Sequence, residues 1–181
     1  MDKAALAKID FPLQKYPENK VFVTGVYGSG KTLFALRYAS LFKVKYIDFD
    51  KYYDYQKIGQ TNLALEFLNV LSDNFITDAV PPNLNFGIGY EDFLVYASAN
   101  EVRVVCTVCP DKEEWKRRAR IGVRKISLHQ AFVDYAKFYY SILPKLKHLP
   151  IDYIDTYANQ HITLDELYER IAWIKPLLDF I

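Results

Sequence analysis

Short runs of apolar residues alternate along the chain with longer segments in which apolar residues recur at helical spacing. The runs cover residues 21–24, 44–49, 75–77, 102–108 and 152–154, and they predict five β-strands. The helical patterns cover residues 31–42, 62–71, 90–99, 112–120, 128–146 and 164–178. Because most runs are continuously apolar, both faces of each strand should be buried. The pattern therefore predicts an α/β fold in which helices cover both faces of a parallel sheet.

Two predicted helices carry signals for where they begin. Ser127 with Gln130, and Thr163 with Glu166, have capping-box spacing, in which a hydroxyl and a longer side chain satisfy free backbone amides. The last helix also has a stripe of apolar residues, which predicts core packing. The stripe consists of Leu164, Leu167, Tyr168, Ile171, Ile174 and Leu178.

Composition narrows the class of protein. The chain has 181 residues, about one domain, and 51% of them are hydrophobic, which is enough for a core. Its 23 Lys and Arg residues nearly balance its 22 Asp and Glu residues, so no general attraction to nucleic acid is expected. No segment resembles a signal peptide or a membrane span, which favours a cytoplasmic protein without a membrane partner.

Cys106 and Cys109 are the two cysteines of the chain. Two cysteines cannot form a disulfide framework, and this fits a reducing compartment. Their C-x-x-C spacing closes an apolar strand, whereas a redox pair opens a helix and a zinc site needs further ligands. We therefore expect buried thiols.

The segment Gly25-Val26-Tyr27-Gly28-Ser29-Gly30-Lys31-Thr32 matches G-x-x-x-x-G-K-[ST] at every fixed position and lies between a predicted strand and a predicted helix. Such a loop directs its backbone amides at phosphate oxygens, assisted by the positive end of the helix dipole. Lys31 would reach the β- and γ-phosphates, and the Thr32 hydroxyl would bind Mg²⁺. The predicted nucleotide-binding residues are Gly25, Val26, Tyr27, Gly28, Ser29, Gly30, Lys31, Thr32 and Leu33.

Acidic residues end the next two predicted strands. Asp48 and Asp50 lie at the end of the second strand and, by alternation, on the same side of it. One of them would accept a proton from an attacking hydroxyl, and Asp50 is the better candidate because it lies farther out. Asp48 would orient the acceptor or hold Mg²⁺ through water. Asp78 ends the third strand, where a carboxylate binds Mg²⁺, although an Asp there also suits a turn.

A basic segment follows the fourth predicted strand. Arg117, Arg120 and Arg124 recur at helical spacing, so one face would carry all three if the helix continues that far. Arginines on a closing lid neutralise the charge of a transferring phosphoryl group, which makes these three candidate catalytic residues. A solvated basic face is the alternative.

These motifs together resemble the P-loop kinases of the nucleoside and nucleoside-monophosphate kinase group. They are also similar to the kinase domains of polynucleotide kinases and zeta toxins. The resemblance rests on residues 25–32, the Asp48 and Asp50 pair followed by Tyr52, Asp78, and the arginine segment. It implies a single P-loop domain over residues 1–181, with an N-terminal lead-in over 1–20 and a lid near 111–127. It also implies a five-stranded parallel sheet of order 2-3-1-4-5, with Asp50 as the base.

The sequence leads to three hypotheses. The first is a kinase that uses ATP and Mg²⁺ to phosphorylate a nucleoside- or nucleotide-like small molecule. The second keeps the chemistry but takes a 5′-hydroxyl or a hydroxymethylated base of DNA as the acceptor. The near-zero net charge counts mildly against it, but a basic patch from Lys112 to Lys125 could suffice. The third is a regulatory ATP-binding or ATPase module, which leaves the carboxylates of the second strand unexplained. The acceptor, the choice of ATP over GTP and the oligomeric state stay open.

Overall fold

A computed structural model describes residues 13–48, 74–78, 89–121 and 127–180. Within these residues one mixed sheet has the strand order β2-β3-β1-β4-β5-β6. The strands are β1 (Lys20–Thr24), β2 (Lys45–Asp48), β3 (Phe75–Asp78), β4 (Val102–Val108), β5 (Ile151–Asp155) and β6 (Gln160–Ile162). The first five are parallel, and β6 pairs antiparallel with β5.

The order predicted for the first five strands is confirmed, and the strand number is corrected from five to six. The sequence did not predict β6 because it has three residues, Gln160, His161 and Ile162, of which only the last is apolar. So short and polar a strand has no apolar run of its own. It forms because it pairs with the neighbouring β5.

The helices follow the predicted pattern with two corrections. They are α1 (Lys31–Phe42), α2 (Tyr90–Ala99), α3 (Lys112–Ile121), α4 (Leu128–Lys137) and α5 (Leu164–Arg170). The predicted helix 128–146 is α-helical only through α4, and it continues as a π-helix (Phe138–Ile142) and a 3₁₀-helix (Leu143–Leu146). The predicted helix 164–178 leaves α geometry after Arg170 and continues as a 3₁₀ segment (Ala172–Phe180). The helix predicted at 62–71 lies outside the described residues.

Helices cover both faces of the sheet. On one face, Val21 and Val23 of β1 pack with Phe34 and Tyr38 of α1. On the other face, Phe22 packs with α2, and the far half of the sheet packs with α3, α4 and the C-terminal helices. The apolar stripe of the last helix belongs to this core, because Leu167, Ile171 and Ile174 are fully buried there and Leu164, Tyr168 and Leu178 pack against them.

All five parallel strands end at the same edge of the sheet. Beyond that edge lie the loop between β1 and α1, the ends of β2 and β3, and the segments that follow β4 and β5. Ligands of open α/β sheets bind at this edge.

Candidate active site

The loop between β1 and α1 contains glycines in backbone conformations that other residues rarely adopt. Gly28 and Gly30 have positive φ angles of 78° and 92°, which disfavour any residue with a side chain. The space beside both glycines is tight as well. A Cβ on Gly28 would lie 3.1 Å from the backbone nitrogen of Ala119, and one on Gly30 would lie 3.0 Å from Cγ2 of Thr156. The loop is therefore packed closely between α3 and the end of β5.

Lys31 is the first residue of α1, directly after Gly30. Its side chain is half-buried, and its Nζ lies 5.5 Å from the centroid of the Tyr27 ring. This places a cation at the start of a 12-residue helix, where the helix dipole favours a phosphate group. Of the neighbouring predicted residues, Val26 and Ser29 are buried, and Leu33 packs against the core beneath α1.

Thr32 and Asp78 meet at the mouth of the loop. The Thr32 hydroxyl donates to Oδ2 of Asp78 at 2.6 Å, and the Tyr46 hydroxyl donates to Oδ1 at 2.6 Å. Asp78 is 7% exposed, and these two bonds define the orientation of its carboxylate. An uncharged hydroxyl and a carboxylate are oxygen ligands of the kind that Mg²⁺ prefers, and the phosphates of a nucleotide complete such a site. The residues present therefore fit the predicted metal.

Asp48 lies beside this pair. It is half-buried at the end of β2 and stands in register with Asp78 on the neighbouring parallel strand, so both side chains are on the same face of the sheet. Tyr46, two residues earlier on β2, shares that face. Asp50, the predicted base, lies outside the described residues. The choice between Asp48 and Asp50 therefore stays a prediction.

The arginines of α3 are divided between two faces of the helix. Arg117 is exposed and donates two hydrogen bonds to Glu114, at 2.7 and 2.8 Å, and Arg120 is exposed as well. Arg118 points instead toward the phosphate-binding loop: its Nη1 donates to Oγ1 of Thr156 at 2.8 Å, and its Cβ adjoins Gly28. Arg124 lies outside the described residues. A catalytic role for Arg117, Arg120 and Arg124 stays a prediction.

The candidate site also contains three residues that the sequence did not predict there, Tyr46, Arg118 and Thr156. Tyr46 lies two positions before Asp48, so strand alternation puts it on the same face of the sheet. Arg118 follows Glu114 at i, i+4 spacing, which is typical of an ion pair on a helix. The sequence therefore contained a weak indication of both residues. Thr156 directly follows β5, and ligands of such sheets bind beyond the carboxyl ends of the strands. A threonine at this position is nevertheless not part of any recognisable motif.

Cys106 and Cys109 are both fully buried, as expected. Burial raises the pKa of both thiols, that of Cys109 to about 12, so they stay protonated. Across the described part of the chain, no group of three or more His, Cys, Asp or Glu side chains is arranged to hold a metal ion. In residues 13–48, 74–78, 89–121 and 127–180, none of the helices is both long and apolar enough to cross a bilayer.

Known structures share this architecture. A shikimate kinase from Bacteroides thetaiotaomicron matches with a TM-score of 0.54 at 16% identity, over 88% of this chain and 98% of its own. A sugar kinase from Janibacter matches with a TM-score of 0.52 at 16% identity, over 88% and 95%. A gluconokinase from Sinorhizobium meliloti matches with a TM-score of 0.50 at 13% identity, over 91% and 95%. No protein-family model matches the chain, and no curated sequence matches it significantly.

Identities this low establish the fold alone. The chain has the fold of the P-loop kinases related to nucleoside-monophosphate kinases, and the predicted resemblance is confirmed at that level. The structural relatives named above are kinases of small molecules.

Proposed function

We propose that this protein transfers the γ-phosphoryl group of ATP to a hydroxyl group of a small-molecule acceptor. The observation that carries the proposal is the 2.6 Å contact between the Thr32 hydroxyl and the Asp78 carboxylate beside a complete phosphate-binding loop. A loop that only grips phosphates does not need a buried carboxylate at this point. One that positions Mg²⁺ on a nucleotide does.

Each residue has a defined task in this proposal. Bound Mg·ATP supplies the transferable phosphoryl group with its charge partly neutralised. The loop amides and Lys31 hold the β- and γ-phosphates, while Thr32 and Asp78 hold the cation. Asp50 or Asp48 accepts the proton of the attacking hydroxyl, because Asp48 ends the strand next to Asp78 and Asp50 comes two positions later in the sequence. Arginines of α3 and the segment after it stabilise the negative charge that spreads over the transferring group.

The acceptor that we propose is small and carries a hydroxyl group. The names of the three structural relatives support this size class, because shikimate, gluconate and sugars are all hydroxylated small molecules. The sequence motifs favour a nucleoside- or nucleotide-like acceptor, which is hydroxylated as well. The two classes are separated by experiment.

A transfer assay with γ-labelled ATP and Mg²⁺ tests the proposal. The acceptor panel holds shikimate, gluconate, simple sugars, nucleosides, nucleoside monophosphates and a 5′-hydroxyl oligonucleotide. We expect label transfer to one small-molecule class, and a loss of about a hundredfold or more in Asp78→Asn. Asp165→Asn is the control, because Asp165 is exposed at the start of α5. ATP hydrolysis that no acceptor stimulates, or full transfer by Asp78→Asn, would reject the proposal.

A further inference from the structure

Two side chains from outside the phosphate-binding loop hold backbone carbonyls on its outer surface. The indole Nε1 of Trp115, on α3, donates to the carbonyl of Tyr27 at 2.8 Å. The hydroxyl of Thr156, directly after β5, donates to the carbonyl of Ser29 at 2.8 Å. The carbonyls of alternate loop residues are therefore anchored to the surrounding domain.

Because a peptide bond is planar, a hydrogen bond that holds the Ser29 carbonyl also fixes the direction of the Gly30 N–H. The Ser29–Gly30 peptide is planar and trans, so its carbonyl and the N–H of Gly30 point in opposite directions. When Thr156 holds the Ser29 carbonyl outward, the Gly30 amide must point into the loop, toward the space where phosphate oxygens bind. Because Gly30 has positive φ and is conformationally permissive, this peptide would otherwise rotate at little cost.

Burial, hydrogen bonds and packing hold Thr156 in this position. It is 4% exposed, and its own N–H donates to the carbonyl of Val108 at 2.8 Å. Its hydroxyl accepts from Nη1 of Arg118 at 2.8 Å, so its single proton is directed to Ser29 at 2.8 Å or to Val108 at 3.1 Å. Its methyl group fills the space that a side chain on Gly30 would need. Arg118 is in turn held by Glu114 through a 2.7 Å bond from Nε.

We propose that Thr156 is a positioning residue for phosphoryl transfer: its hydroxyl orients the Ser29–Gly30 peptide so that the Gly30 amide is preset for the phosphates of the nucleotide. The inference rests on the proposed function, since it assumes that the loop binds ATP. It assigns a part in shaping the site to the residue directly after β5, which is 127 positions from Ser29 in the sequence. In this role Thr156 acts through the Ser29 carbonyl and not on the nucleotide itself.

A matched pair of variants tests the inference. Thr156→Val keeps the shape and the methyl contact with Gly30 but loses the hydroxyl, whereas Thr156→Ser keeps the hydroxyl. We expect Thr156→Val to weaken ATP binding, measured by calorimetry, by about three- to tenfold, and Thr156→Ser to stay within about twofold of the wild type. Equal weakening in both variants would assign the effect to packing and overturn the inference, as would wild-type affinity in Thr156→Val.

Two controls separate the possible causes. Thr163→Val loses a hydroxyl that caps α5, after β6 has run antiparallel to β5 and away from its carboxyl end, and it should bind ATP like the wild type. Thr156→Val in an Arg118→Met background shows whether the effect passes through Arg118. We expect the loss to persist there, and its disappearance would overturn a direct action on the Ser29 carbonyl. If the wild type bound no ATP at all, the proposed function itself would fail, which is a different result from any variant effect.

Discussion

Glu114 orients two neighbouring arginines of α3. Its carboxylate accepts two hydrogen bonds from Arg117 and one from Arg118, all at 2.7 to 2.8 Å. These bonds, led by those from Arg117, lower the pKa of Glu114 from 4.5 to about 2. Glu114 also affects the candidate site, although it does not contact the loop directly. Glu114 restrains the guanidinium of Arg118, which reaches Thr156 and, through it, the phosphate-binding loop.

The depressed pKa of Glu114 predicts how its contribution to stability depends on pH. A carboxyl whose pKa is lower in the folded state stabilises the protein fully above its unfolded pKa, near 4.5. The stabilisation is lost as the pH falls from there through about 2. We therefore expect the difference in melting temperature between wild type and Glu114→Gln to be constant near neutral pH and to shrink once the pH drops below 4.5.

Thermal melts at a series of pH values measure this difference. Glu113→Gln is the matched control, because Glu113 lies next to Glu114 but has a side chain that is 78% exposed and pairs with Lys116 at the surface. Its effect on the melting temperature should be small throughout. A Glu114→Gln difference that does not change with pH would show that the ion pairs contribute through packing rather than through charge.

Single residues were predicted unevenly, and the separation of the partners explains why. Thr32 and Asp78 are 46 positions apart, yet their meeting was predictable, since a motif places one and the end of an adjacent strand places the other. Thr156 and Ser29 are 127 positions apart, and no motif contains Thr156. A hydroxyl that bonds to a backbone carbonyl leaves no pattern in the sequence, whereas a charged or glycine-rich motif does.

Among the elements, the segment after α4 shows what periodicity cannot resolve. The apolar spacing over residues 128–146 is compatible with one α-helix, but Pro144 lacks the N–H that would bond to Tyr140. The chain widens into a π-helix before this proline and tightens into a 3₁₀-helix around it. In this geometry Tyr139 is fully buried, and its hydroxyl donates to the carbonyl of Thr107 at 2.8 Å.

The two predicted capping boxes also differ in outcome. At α4 the Ser127 hydroxyl accepts from the Gln130 amide at 3.1 Å, but the Gln130 side chain donates to Asp134 instead of returning to the cap. At α5 the box is complete, with Thr163 and Glu166 bonded to each other's backbone at 3.2 and 2.7 Å. The glutamate carboxylate accepts from the Thr163 amide, as the box requires. The spacing alone could not distinguish the two cases.

The complete box predicts a measurable contribution to stability. Replacing Thr163 by alanine removes the acceptor for the Glu166 amide, and we expect a loss of about 1 kcal/mol in the free energy of unfolding. Thr163→Ser keeps the acceptor and should differ little from the wild type. Urea unfolding followed by circular dichroism measures both. An alanine variant as stable as the serine variant would show that the cap contributes nothing, despite its geometry.

For the whole molecule, the alternation of strands and helices predicted a parallel sheet, and the glycine-rich motif between the first strand and the first helix located the candidate site. Strands that alternate with helices run parallel, so the carboxyl ends of β1 to β5 lie at one edge of the sheet, where ligands of such sheets bind. The resemblance to P-loop kinases supplied the order of the first five strands, which the structure confirms. The sixth strand and the attachment of α3 to the loop depend on tertiary contacts, through β5 and through Trp115.

That attachment connects ligand binding to the stability of the whole described domain. The phosphate-binding loop is continuous with β1 and α1, and hydrogen bonds from Trp115 and Thr156 tie it to α3 and to the end of β5. Because the loop can hold phosphates only when these elements are assembled, ATP should bind the native state and not the unfolded chain. By linkage, ATP at a hundred times its dissociation constant then adds about 2.7 kcal/mol to the free energy of unfolding.

For a chain of this size, such a gain corresponds to a rise of about 5–10 °C in melting temperature. We expect this rise with ATP and Mg²⁺, a smaller one when EDTA removes the metal, and almost none in Lys31→Met, because Lys31 is the cation that we propose for the phosphate site. Lys45→Met is the matched control, since Lys45 is exposed at the opposite end of β2 and its loss should leave the rise intact. An equal rise in Lys31→Met and wild type would mean that ATP binds elsewhere. The loss of an adjacent positive charge must weaken the binding of a triphosphate in this loop.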